Sequence, residues 1–483
     1  MKIMKHEKHR PLWHFSPKQH WINDPNGLVY FNQEYHLFFQ HHPSSSNWGP
    51  MHWGHAVSRN LIDWEELPIA LAPDELGTIF SGSAVVDWKN TTGFFPEEPG
   101  LVAIFTHHLD TGEEGVPITQ AQSLAYSTDQ GRTWTKYEGN PVLSCKSNPD
   151  FRDPKVFWHP ESARWVMVLA TGQTISIYSS PDLKSWTFES EFGEGIGFHG
   201  AVWECPDLFQ LNIEGTSESR WVLLVSVGDN PEFDEGSRTQ YFIGSFDGSK
   251  FTPDDAEIRW LDYGRDNYAG VSFSDIPEED GRRLYIAWMS NWRYARQVPT
   301  NGWRGVMTFP RALTLVQLED ATLIRQQPAE ELKSYFSERT MLPDLTIAGG
   351  VSHSFPCQAE ALELNLNLEH ADAAGFDLIL QHTADQHTKI SYCAVQQTLT
   401  LYRDQSGIRD FAEIFPLPQA MPVPLPDNIR LQILVDTSSI EVFVNDGLYA
   451  LTSVVYPDQT CEQITIHAKQ GDVRVYDSSL AVR

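Results

Sequence analysis

The sequence predicts an all-β protein with a propeller-like domain followed by a β-sandwich, and three observations carry that expectation. The first two thirds reads as many short strands separated by Gly, Pro, Asn and Asp turns, without a long amphipathic helix. A pattern of Ser, an Asp-bearing turn and an aromatic residue recurs through this part. The last third alternates apolar and polar residues in strand-length runs.

Taken in order, Leu28 to Phe31 and Tyr35 to Phe39 are apolar arms around the polar Asn32, Gln33 and Glu34, which predicts a hairpin. The recurring pattern runs Ser58 to Trp64, Ser127 to Trp134, Ser180 to Trp186 and Ser245 to Phe251. Its closing aromatics, at 64, 134, 186 and 251, are 70, 52 and 65 residues apart. That spacing suits one four-stranded propeller blade with variable loops. Ser-Asp-Gly turns also precede strands in other β proteins, so the pattern alone leaves both architectures open.

At Pro328 the texture changes. Pro at a helix start, Glu330 and Glu331 in the first turn and apolar Leu332, Tyr335 and Phe336 predict a short linking helix. Beyond it, Leu362, Leu364, Leu366 and Leu368 alternate with polar residues, as in a strand with one buried face. Leu431 to Val435, Ile440 to Val444 and the turn Asn445-Asp446-Gly447 continue as hairpins. The expected division is a propeller over 1–326, a linker with the helix over 327–345 and a sandwich over 346–483.

The 483 residues carry 35 Lys+Arg against 64 Asp+Glu, a formal charge of −29, which argues against nucleic acid or an anionic membrane surface as partner. With 41% hydrophobic and 12% aromatic residues the chain can bury a large core. Its longest apolar runs, such as Trp165 to Ala170, fall far short of the roughly 20 residues of a membrane helix. The basic start lacks an apolar stretch and a small-residue cleavage site, so a mature chain beginning near Met1 in the cytoplasm is expected, with signal-independent export left open. Five scattered cysteines, none in a C-x-x-C pair, fit a reducing compartment.

Phosphate-loop, dinucleotide, zinc-protease and nucleophile-elbow motifs are absent from the sequence, and no cofactor is expected. His41, His42, His52, His55, His107 and His108 lack a third donor at ligand spacing, so they read as hydrogen-bonded or surface histidines and no metal is expected. Three acidic segments remain: WINDPNG (21–27), FRDPK (151–155) and WECPD (203–207). Proline predicts extended geometry for the residue before it, so Asp24 and Asp153 should project from strand ends or turns. Glycosidic cleavage needs two carboxylates in unlike environments, one ionised and one protonated, and tryptophan walls suit the apolar face of a sugar. Each acid alone also reads as a turn residue or a salt-bridge partner.

In this order, WINDPNG, FRDPK and ECPDLF resemble the motifs of glycoside hydrolase family 32, which contains invertases, levanases and exo-inulinases. The resemblance extends through WGPMHWGHA (48–56), IFSGSAV (79–85), LDYGRDNYA (261–269), IAWMSNW (286–292), GWRGVMTFPR (302–311) and VDTSSIEVFVNDG (435–447). It implies a five-bladed β-propeller with a C-terminal β-sandwich and an active site at the propeller axis. By motif, it implies that Asp24 is the nucleophile, Glu204 the acid and then base, and Asp153 a transition-state stabiliser. Glu204 should then have a raised pKa, and retention predicts a gap between Asp24 and Glu204 of roughly 5 to 5.5 Å. The resemblance further implies that Trp21, Asn23, Gln40, Trp48, Phe80, Ser81, Arg152 and Trp292 bind substrate. Where relatives often carry Tyr then Asn, this chain has His41 and His42; Asn267 replaces an aromatic. Both departures are expected to tune the leaving-group side of the pocket.

The pattern is more similar to the bacterial fructan β-fructosidases, of levanase and exo-inulinase type, than to sucrose-6-phosphate hydrolases. The implied activity is exo-hydrolysis of terminal β-fructosyl residues from levan, inulin, fructo-oligosaccharides or sucrose. A sucrose-6-phosphate hydrolase, a fructosyltransferase and a non-catalytic fructan-binding propeller are the alternatives. The sandwich is open to weak sugar binding, a homo-oligomer contact or packing against the propeller.

Overall fold

The computed structural model describes residues 7–370, 373–424 and 428–483. The basic residues 1–6, on which the expected start of the mature chain rests, lie outside the described residues.

Up to Pro328 the chain forms five antiparallel sheets, whose innermost strands are His20–Phe31, Thr78–Val86, Arg152–His159, Trp203–Asn212 and Tyr268–Ser272. Each inner strand contacts the next and the fifth contacts the first, so the sheets close as five blades around an axis. Trp303–Arg304, from a connection within the fifth blade, pairs in parallel with His20 and Trp21 and ties the last blade to the first.

The recurring sequence pattern is one turn used four times, each time joining the third strand of a blade to the fourth. Leu61, Gly131, Leu183 and Gly248 all have positive φ there, each three residues before the closing aromatic. In three copies the closing indole donates to the carbonyl of that residue, Trp64 to Leu61 at 3.2 Å, Trp134 to Gly131 at 3.1 Å and Trp186 to Leu183 at 2.9 Å. An Asp side chain, or Asn60 in the first copy, accepts N–H groups that the turn leaves unpaired, as Asp182 does from Lys184 and Ser185. The fifth blade closes instead by the bond from Leu318 N–H to the Ala321 carbonyl, which explains why the pattern has four copies for five sheets.

In the first hairpin the turn is Asn32 and Gln33 alone, both left-handed at φ 50° and 64°. Glu34 pairs with Phe31 and belongs to the returning strand.

The linking helix spans Leu332–Tyr335, with Leu332 and Phe336 buried against the first and fifth blades. Thr340–Met341 and Leu345–Ile347 already pair with Val473–Val482, so sandwich pairing begins inside the segment expected as linker. The sandwich packs a seven-stranded sheet on a six-stranded one. Leu362, Leu364, Leu366 and Leu368 all point into its core, as their alternation requires.

Buried ions join the two domains. Arg311 of the fifth blade meets Asp262 at 2.9 Å and Glu441 of the sandwich at 2.5 Å. Arg403 of the sandwich meets Asp266 at 2.7 Å. His14, ahead of the first blade, is held by Asp436 at 2.8 Å and Glu441 at 2.9 Å.

Candidate active site

Every inner strand breaks its pairing register near its start. The breaks fall between Ile22 and Pro25, Ile79 and Gly82, Arg152 and Lys155, Glu204 and Asp207, and Tyr268 and Val271. A bulge adds a residue to one strand and re-aims its side chains. Four of them turn Asp24, Ser81, Asp153 and Glu204 towards one cavity on the axis, and the fifth brings the Tyr268 hydroxyl to Glu204.

Proline suits this construction, because the bulged residue leaves the ladder and its successor needs no N–H. Pro25, Pro154 and Pro206 follow Asp24, Asp153 and Cys205. The extended geometry expected at Asp153 is not what forms: its φ is 63°, with Cys205 at 46° and Ala269 at 54° in the same place on their strands. Left-handed non-glycine residues cost on the order of 1–3 kcal/mol each, and the closed ring holds them there.

The cavity has a volume of about 600 Å³ and is walled by all five blades. Asn23, Asp24, Gln40, Trp48, Phe80, Ser81, Arg152, Asp153, Glu204 and Trp292 all line it. Trp48 stands at the rim, 38% exposed, edge-on to Phe80. Trp21, expected among the substrate contacts, does not reach the cavity: its side chain is fully buried in a layer with Tyr268 and Trp288 behind the wall. Its indole donates to Asn23 Oδ1 at 2.7 Å, and the Asn23 amide donates to Asp24 Oδ1 at 2.9 Å. Trp21 therefore acts on the carboxylate through Asn23.

Asn267 is also off the expected surface. It is buried, accepting from the Tyr285 hydroxyl at 2.7 Å beside Asp262. His41 is bonded to the Trp21 carbonyl, and His42 to the carbonyl of Asn47 next to Trp48, so both act behind the wall.

Each carboxylate is held differently. Asp24 accepts from the Ser81 hydroxyl at 2.7 Å on Oδ2 and from Asn23 on Oδ1. Asp153 accepts the backbone N–H of Cys205 at 3.1 Å, and its own N–H donates to the Thr106 hydroxyl at 3.1 Å. Glu204 Oε1 accepts from Arg152 at 3.1 and 3.3 Å, and Oε2 from the Tyr268 hydroxyl. Arg152 is fixed in turn by Asp150 at 2.5 Å. The Cys205 thiol lies 3.6 Å from both Asp24 and Asp153.

Burial, and then the charge of Glu204, push the Asp24 carboxyl above its ordinary value. Burial also pushes Asp153 up to about 7, against the pull of Arg152 and with the help of Glu204 and Asp24. Sequence reasoning missed Tyr268 and Cys205 as members of the site. Both lie in motifs that carry the resemblance, Cys205 in ECPDLF and Tyr268 in LDYGRDNYA, but nothing there gave them a role.

A five-bladed ring that presents three acids and tryptophan to one axial cavity defines a propeller glycosidase. Residues 14–328 match the family described as glycosyl hydrolases family 32 N-terminal domain, and residues 331–483 match glycosyl hydrolases family 32 C terminal. The chain belongs to glycoside hydrolase family 32. It is 46% identical to a levanase of Bacillus subtilis (strain 168) over 97% of this chain and 69% of that protein. It is 37% identical to an extracellular exo-inulinase of Aspergillus niger, over 97% and 94% of the two chains. The crystal structure of exo-inulinase from Aspergillus awamori superposes with a TM-score of 0.89 at 33% identity, covering 100% of this chain and 99% of the other. A β-fructofuranosidase from Schwanniomyces occidentalis complexed with fructosyl-erythritol gives 0.88 at 32% identity, over 98% and 97% of the chains.

Proposed function

We propose that the protein is a retaining exo-β-fructosidase that removes terminal fructosyl residues from fructans, fructo-oligosaccharides or sucrose. The observation that carries the reading is the convergence of Asp24, Asp153 and Glu204 on one axial cavity lined by all five blades, and exo action rests on the exo-inulinases among its relatives. Levanase, exo-inulinase and β-fructofuranosidase are the names of its relatives, which supports the substrate class.

In this reading Asp24, aimed by Ser81 and Asn23, attacks the anomeric carbon and forms a fructosyl ester as the glycosidic bond breaks. Glu204 gives its proton to the departing oxygen, then takes one from the water that hydrolyses the ester. Two displacements at one carbon retain its configuration. Asp153 binds fructosyl hydroxyls and offsets the charge that develops on the ring. Tyr268 can accept as well as donate, so it stays bonded to Glu204 in both protonation states.

Charge in the cavity favours unphosphorylated substrates. Of the two arginines that line it, Arg152 is already bonded to Glu204 and Asp150. The five cysteines are all free, which supports work in the cytoplasm.

The test is the early product profile on levan, inulin, sucrose and sucrose 6-phosphate, with Asp24→Ala and Glu204→Gln beside the parent. Free fructose as sole early product, lost in both variants, is expected. Early release of oligosaccharides would overturn exo action, and full activity in either variant would overturn the assigned roles.

A further inference from the structure

A second cavity of about 430 Å³ opens at the other end of the propeller axis. The inner strands connect the two. Ser81 faces the first cavity and Val85 the second; likewise Asp153 and Phe157, and Glu204 and Phe209. Four or five residues of strand put the two sites roughly 13–17 Å apart. Between them lies a buried layer in which Lys155 bonds the Ser272 carbonyl and meets Asp207 at 3.3 Å.

We propose that this opposite mouth is a non-catalytic binding site for a neutral oligosaccharide. Its aromatic content is the first argument. Four tryptophans line it, and Trp88 is 58% exposed yet fixed, because its indole donates to Asp275 Oδ1 at 2.8 Å while its ring meets Phe31 edge-on. An exposed indole already held in place is a stacking platform for a sugar ring, and it loses little freedom on binding.

Charge balance is the second argument. Three cationic side chains, Lys89, Lys155 and Arg283, face three anionic ones, Glu161, Asp207 and Asp275. A mouth without net charge gives an ionic ligand no advantage, whereas its fixed donors and acceptors suit hydroxyl groups.

The inference goes beyond the proposed catalysis and does not depend on it. Its test is ligand-observed saturation-transfer NMR on the full chain carrying Asp24→Ala, with 1-kestose, nystose, maltotriose and cellotriose as probes, repeated with Trp88→Ala and Trp88→Phe added. At least one probe is expected to bind with an affinity that falls tenfold or more in Trp88→Ala and returns most of the way in Trp88→Phe. A fructoside alone showing this marks the site as a fructan subsite; a glucoside showing it marks a broader glycan site. Binding of no probe, or binding of every probe unchanged by Trp88→Ala, would overturn the proposal. Melting curves of the Trp88 variants, expected to overlay the parent, separate lost binding from lost fold. If the catalytic reading alone fails, fructoside hydrolysis by the parent is absent while the Trp88-dependent signal remains.

Discussion

The backbone N–H of Cys205 donates to Oδ2 of Asp153 at 3.1 Å, so the residue after Glu204 holds the acid of the neighbouring blade. Both residues have left-handed backbones, at φ 63° and 46°. It fixes Asp153 from one side while Arg152 approaches the same oxygen at 3.9 Å.

Asp153→Asn should make the protein more stable and much less active. Burial, and then Glu204 and Asp24, raise the native carboxyl from 3.8 to about 7 against the pull of Arg152, so the native state binds a proton that the unfolded chain releases. The stability contributed by that proton is fully present below about pH 4 and is lost as pH rises through about 7. The amide removes this loss. Denaturant titrations at pH 5 and pH 8 should show the variant gaining on the parent by on the order of 2–4 kcal/mol at the higher pH. Its kcat should fall by about 100-fold or more, the scale of a lost transition-state contact. Parallel stability curves for the two proteins would refute the assignment of the titration to Asp153.

Tyr268→Phe removes the donor from Glu204 Oε2 and leaves Arg152 on Oε1. A hydrogen bond to a charged group is worth about 1.5–3 kcal/mol, which corresponds to a fall of roughly 10- to 100-fold in kcat. Because Tyr268 is fully buried and outside the cavity lining, KM for sucrose should stay within about threefold. Steady-state kinetics on one fructoside checks both numbers. A change confined to KM would make Tyr268 part of the substrate wall.

These two residues show where sequence reasoning ran out. Asp24 and Asp153 are legible because proline follows each in a short motif, and Glu204 because ECPD repeats that design one residue later. The partners that position them are not legible. Tyr268 is 64 residues from Glu204, and their bond exists only because the fifth blade closes on the fourth. Trp21 misled for the opposite reason. Its motif is conspicuous, but the bulge at Asn23 and Asp24 turns those two inward and leaves the indole behind the wall. The sandwich leucines were readable, since alternation is local. The buried ion pairs that join the domains span 130 to 427 positions, and no local pattern reports them.

One of those contacts titrates. His14 is buried between Asp436 and Glu441. Burial alone would lower its pKa, but the bonds to the two carboxylates outweigh that and hold it at about 9. For a histidine raised above its unfolded value, the stabilisation is fully present below about pH 6.5 and lost as pH rises through about 9. His14→Gln should cost about 3 kcal/mol at pH 7, the scale for breaking a buried pair, and much less at pH 10. Urea melts at the two pH values test this. An equal deficit at both would mean that packing, not charge, is what His14 supplies.

The domain interface should also set activity, because its ions sit in the segment that delivers Tyr268. Asp262 and Asp266 precede Tyr268 by six and two residues, and both lack solvent. Asp262 is bonded to Arg311 and to the Thr452 hydroxyl and N–H; Asp266 is bonded to Arg403, the Tyr294 hydroxyl and the Val454 N–H. Removing the sandwich would strip Asp266 of Arg403, Asp262 of the Thr452 N–H and Asp266 of the Val454 N–H, exposing carboxylates built for burial. Residues 7–328 alone should therefore express poorly or remain inactive, even though every blade is present. The milder probe is Arg403→Met in the full chain, which leaves Asp266 buried beside Tyr294 and Val454. It should cost about 3–5 kcal/mol and lower kcat at 25 °C as the Tyr268 segment loosens. Arg339→Met, which breaks the pair with Glu363 within the sandwich, serves as the control and should leave kcat unchanged. Full activity from the propeller alone would show that the five blades hold the Tyr268 segment without help from the sandwich.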